Sequence, residues 1–181
     1  MRSQDKFNKA YNYQQSWFSW YDTQVFCDDI VTAAYCTGEP SYIHVQNDYD
    51  NNGLALRFCD RYFHLGTLQG IYDQASTGGN PHDLSEYENR ARAWITTMMR
   101  IKWIGGLLPQ QAIYPDTPGF RYVESASESK YLAKNYAVTI APVKTLSNPS
   151  NYAWYAMAEW VQQKSSNYPQ RPQTPQDLAS T

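Results

Sequence analysis

The 181-residue chain is poor in charge, poor in cysteine and without a long apolar run. Only 18% of its residues are charged, against roughly 25% in an average soluble domain. Fifteen basic and seventeen acidic residues leave a net charge of −2. No basic excess is present to meet a phosphate backbone, so no nucleic-acid partner is expected. No apolar stretch approaches the roughly 20 residues of a spanning helix, so no membrane span is expected. Gly-x-Ser-x-Gly, phosphate-loop and dinucleotide motifs are missing, and no cofactor is expected. His44, His64 and His82 are scattered, with no pair at the i, i+4 spacing that places two imidazoles on one helix face. No metal site is expected from them.

Cys27, Cys36 and Cys59 allow one disulfide and one leftover thiol. Cys27 could pair with Cys36, closing the loop CDDIVTAAYC, or with Cys59, and Cys59 also reads as a lone buried apolar side chain. The acidic neighbours Asp28 and Asp29 argue against a nucleophilic Cys27.

What the chain has in quantity is aromatic rings: 16 Tyr, 6 Trp and 6 Phe. Together with the low charge, this leans towards a secreted protein. The opening MRSQDKFNKAY has no apolar core, so no signal peptide is expected in this form, and Met1 is readable as an added start on a trimmed mature chain. Trp17, Phe18, Trp20 and Tyr21 read as core more readily than as a carbohydrate platform.

Residues 3–35 hold few helix breakers, and Phe7, Ala10, Tyr11, Gln14, Trp17, Phe18 and Tyr21 approximate a helical stripe, predicting one or two helices. Residues 42–46 and 54–59 alternate in side-chain type around NDYDNNG, predicting a short β-hairpin. Asp48, Asp50, Asn52 and Gly53 also match the start of a calcium loop, but Cys59 stands where its bidentate glutamate belongs, and a plain turn is expected. Residues 60–74 suggest a loop and a short helix, 77–83 a surface loop, and the Pro- and Gly-rich 107–124 an ordered irregular loop. A helix is predicted from Ser127 to about Val138, and another from Asn148 and Pro149 to about Lys164, with asparagine capping the first N–H groups. Residues 165–181 form a Pro- and Gln-rich extended tail covering little core.

The strongest local signal is Ser85–Gly106. Ser85 and Glu88 stand at capping-box spacing, Gly105 and Gly106 supply a stop, and charges at both ends suit the helix dipole. Tyr87, Ala91, Trp94, Ile95, Met98 and Met99 recur at helical spacing as a face that must be buried. Glu88, Arg92, Thr96 and Arg100 form a polar stripe, with Glu86–Arg90 and Glu88–Arg92 as intrahelical pairs. The stripe is either a solvated face or the floor of a cleft, where Arg100 could take a carboxylate or phosphate bidentately.

Two flanking segments carry a resemblance. LRFCDRYFHLGTL, Leu56–Leu68, resembles the stretch before the active-site helix in fungal deuterolysin-like and lysine-specific metallo-endopeptidases, the aspzincins. NPSNYAWYA, Asn148–Ala156, is similar to that family's closing Asn-Ala-Asp-(Ser/Asn)-Tyr-Ala-x-Phe-Ala helix, with Asn148, Tyr152, Ala153 and Ala156 matching and Tyr155 replacing phenylalanine. The resemblance spans about residues 40–160. It implies an α+β, mainly helical, zincin-like single domain over 1–164, with a small β-hairpin or sheet and a central former active-site helix at about 85–105.

In such peptidases two histidines of His-Glu-x-x-His hold zinc and the glutamate acts as general base. Their places here read Thr96, Thr97 and Arg100, and the third-ligand region offers Asp116 ahead of Tyr122. The resemblance therefore implies the fold without the peptidase chemistry. The expected function is a secreted non-peptidase homologue acting as a binding or effector-type protein on a protein, glycan or small-molecule ligand. Its binding residues would be the former cleft of Glu88, Arg92, Thr96, Thr97, Arg100, Asp116 and Tyr122, or its aromatic surface. The alternative is a metal-independent enzyme of another class reusing that cleft, with Arg100, Asp116, Tyr122 and Glu124 as its polar groups. No residue is singled out as catalytic.

Overall fold

The computed structural model describes residues 23–27, 36, 42–47, 53–105, 124–136, 146, 148–170 and 172. Its sheet has three strands, β1 (Thr23–Phe26), β2 (Ile43–Asn47) and β3 (Leu54–Phe58), in the order β1-β3-β2. The predicted hairpin is present: β2 runs antiparallel to β3, with Ile43 opposite Phe58 and Asn47 opposite Leu54. β1 adds to the other edge in parallel, Thr23 opposite Leu54 and Phe26 opposite Arg57. This corrects the helical reading of residues 3–35 at Thr23–Phe26, where the β-branched Thr23 and Val25 and the aromatic Phe26 suit a pleated surface beside β3. The remainder of that prediction, and the candidate calcium ligands Asp48, Asp50 and Asn52, lie outside the described residues.

Six helices follow among the described residues: α1 (Asp60–His64), α2 (Leu68–Gly78), α3 (Arg90–Arg100), α4 (Lys102–Gly105), α5 (Ala126–Tyr136) and α6 (Pro149–Ser165). The architecture is α+β. α3 lies between α6 and β2, so one helix faces both layers. Ile43, Leu54 and Leu56 from the sheet close on Met98, Met99, Ile101, Ile104 and Tyr152. A second cluster joins Leu84, Tyr87 and Ala126 to Trp154, Met157 and Val161 along α6.

The helix predicted over 85–106 is shorter and broken. Ser85 belongs to a 3₁₀ turn, Leu84–Glu86, where Asp83 Oδ1 accepts from the backbone N and the hydroxyl of Ser85. Asn89 caps α3, its Oδ1 accepting from Arg92 N at 2.9 Å. Glu88 does not complete a capping box because its carboxylate turns to Arg92. At Ile101 the backbone is extended (ψ 126°), separating α3 from α4. A reciprocal capping box forms instead at α5: Ser125 Oγ accepts from Glu128 N, and Glu128 Oε2 accepts from Ser125 N. Pro149 occupies the first turn of α6 as predicted, but the Asn148 side chain makes no capping bond and donates to Asn151 Oδ1.

Cys36 pairs with Cys59, leaving Cys27 exposed. This excludes the Cys27–Cys36 loop, the Cys27–Cys59 pairing and the reading of Cys59 as a lone thiol. The start of the tail is extended and attached: Gln170 N donates to His82 O, Asn80 Nδ2 to Gln170 Oε1 at 2.9 Å, and Lys130 Nζ to Pro172 O. No helix among the described residues is long and apolar enough to cross a membrane.

Candidate functional site

The polar stripe of α3 faces inward. Arg92 is 2% exposed and Thr96 4% exposed, so the stripe is not a solvated face. α3 is buried almost all round because it is covered by the sheet on one side and α6 on the other. Glu88, just ahead of the Asn89 cap and four residues before Arg92, reaches it, and its Oε1 accepts from both Nε, at 2.9 Å, and Nη2. Two rings flank the guanidinium: its carbon lies 5.2 Å from the Trp154 ring centre and 5.7 Å from that of Tyr42. A delocalised cation suits such faces, which partly replace its lost hydration.

Two turns further on, Arg100 Nη2 donates to Glu124 Oε1 at 2.9 Å, both side chains being about one-fifth exposed. Glu124 is itself placed by its backbone: its carbonyl accepts from Trp154 Nε1 and its N–H donates to Glu128. Trp154 thus packs against Arg92 and also holds the residue that pairs with Arg100. Between these groups lies a cavity of about 10 Å³, lined by Tyr42, Ile43, Arg92, Ala93, Thr96, Thr97, Arg100 and Glu124. That is room for about one water molecule.

Burial pushes the Glu88 carboxyl above its ordinary range, and Glu124 adds to this, while Arg92 and the Tyr42 hydroxyl pull it back. Tyr42 is raised by burial and by Glu88. His44 is lowered by burial, with Arg57 and Arg100 adding to the effect. Thr97 Oγ1 is spent on Ala93 O at 2.8 Å.

The structure brings together Glu88, Arg92, Thr96, Thr97, Arg100 and Glu124; Asp116 and Tyr122 lie outside the described residues. Sequence reasoning missed Tyr42 and Trp154. Tyr42 stands just before β2 with nothing local to tie it to α3, and Trp154 falls at the unspecified position of the closing-helix motif. Zinc, the metal of the resembled family, does not fit this face. The lining offers Thr96, Thr97 and Arg100 in place of nitrogen or sulfur ligands, and two guanidinium charges adjoin the cavity where a cation would sit. Among the described residues, no three of His, Cys, Asp and Glu converge as metal ligands. Comparison with protein-family models, curated proteins and solved structures finds no match to this chain.

Proposed function

We propose that this chain is a secreted, non-peptidase protein with a zincin-like fold that acts by binding a partner at its exterior. One observation carries the reading: the face that would hold zinc is filled by the Glu88–Arg92 and Arg100–Glu124 pairs, leaving room for about one water. A hydrolytic metal centre needs nitrogen, sulfur or carboxylate ligands and an open coordination position, and this face supplies threonines and arginines instead. A metal-independent enzyme would need a substrate-sized pocket, for which this cavity is too small. A contiguous aromatic cluster of Phe58, Tyr62, Phe63 and Trp94, with Phe63 about half exposed, supports exterior binding. The disulfide Cys36–Cys59, next to that cluster, supports an oxidising compartment.

The test is metal analysis of the purified protein together with a peptide-cleavage assay run with and without chelator. Substoichiometric zinc and no chelator-sensitive cleavage are expected. One zinc per chain with chelator-sensitive cleavage would overturn the reading.

A further inference from the structure

We propose that the cavity among Tyr42, Arg92, Thr96, Arg100 and Glu124 is a binding site for a single water molecule that joins the two ion pairs. The inference stands whether or not the chain descends from peptidases. Two side chains that line the cavity are more than nine-tenths buried and carry polar atoms without a hydrogen-bond partner among the described residues: Arg92 Nη1 and Thr96 Oγ1. A buried donor left without an acceptor is costly, so such atoms mark where a ligand belongs. Thr97, one residue on, returns its hydroxyl to the carbonyl four residues back; Thr96 makes no such bond, and its hydroxyl remains for another partner.

Size and charge then select the ligand. About 10 Å³ holds one water and excludes a polyatomic anion. The charges of Arg92 and Arg100 are already met by Glu88 and Glu124, so no net positive field compensates a halide for losing its hydration. A neutral molecule that both accepts and donates suits the lining. The water oxygen takes hydrogens from Arg92 Nη1 and Thr96 Oγ1, and one of its own hydrogens goes to the Glu124 carboxylate. Three bonds are typical of a buried water.

The experiment is a crystal structure of the wild-type protein at better than about 2 Å, from native and bromide-soaked crystals, accompanied by that of Thr96→Val. One oxygen peak is expected within roughly 2.7–3.2 Å of both Arg92 Nη1 and Thr96 Oγ1, with no anomalous bromide signal. In Thr96→Val, which keeps the shape and loses the hydroxyl, the peak should weaken or vanish. An empty cavity, Arg92 Nη1 bonded to a protein acceptor, a bromide peak in the site, or a peak unchanged in Thr96→Val would each overturn the proposal. If Thr96→Val does not fold, the two wild-type data sets decide it.

Discussion

Arg92 holds a full charge in a place that water scarcely reaches, and its energetics follow from that. Removing one member of a buried ion pair strands the other, whereas replacing both by apolar groups of similar size is close to neutral. Glu88→Leu is therefore expected to destabilise the protein by about 2 kcal/mol, below the 3–5 of a fully buried pair, because the Glu88 side chain keeps 37% exposure. The double variant Glu88→Leu/Arg92→Met should return to within about 1 kcal/mol of wild type in urea unfolding. A double variant no more stable than the single one would contradict this account. Burial also makes the folded protein hold the Glu88 proton more tightly than the unfolded chain does. The contribution of this group to stability is then greatest on the acid side and falls as pH rises from the ordinary value of 4.5 through the raised folded value. Glu88→Gln lacks this group and should show a shallower decline over that window, and equal slopes in the two proteins would count against it. The i, i+4 partnership of Glu88 and Arg92 is legible in the sequence. That both are turned inwards is not, because burial depends on α6 and Tyr42.

At the scale of elements, helices were easier to read than their ends. Apolar periodicity places α3, since any helix with such a face must bury it, and the Pro149 start places α6. Ser85-x-x-Glu88 satisfies the capping-box spacing, but the glutamate has a better partner in Arg92 and leaves the box unformed. Asn89 caps α3 instead, and it is fully buried, with its Nδ2 donating to Tyr87 O and to Met157 Sδ. Asn89→Ala should cost about 1–2 kcal/mol in thermal or urea unfolding, at the upper end for a lost cap. Ser85→Ala, on the exposed 3₁₀ turn, should stay within about 0.5 kcal/mol. The reverse ranking would restore Ser85 as the start of the helix. The four residues of β1 are too few to show a period of their own; its strand character comes from the edge of β3 with which it pairs.

For the molecule as a whole, the Cys36–Cys59 bridge joins two residues 23 positions apart, enclosing β2 and β3 and ending at the N-cap of α1. Loop-closure entropy puts its contribution at about 3 kcal/mol. Cys36→Ser/Cys59→Ser should lose about that much in urea unfolding, and Cys27→Ser, at an exposed position, should stay within about 0.5 kcal/mol. Thiol titration of the denatured, unreduced wild type should find one free thiol. Three free thiols would mean that no disulfide forms, and a large loss from Cys27→Ser would mean a different pairing. The bridge also fixes Cys59 beside the cluster of Phe58, Tyr62 and Phe63, so reduction should loosen the surface proposed above for partner binding.

The sequence alone determined the β2–β3 hairpin, the existence of α3, α5 and α6, and the Glu88–Arg92 partnership. All of these follow from interactions within a few residues along the chain. It left open which cysteines pair, whether the polar stripe of α3 is solvated or covered, and how Arg100 meets Glu124, 24 residues away. Only the tertiary structure decided these, because each depends on which distant segments pack together. Packing α3 between the sheet and α6 turned a stripe of ordinary surface charges into a buried, paired and nearly filled site.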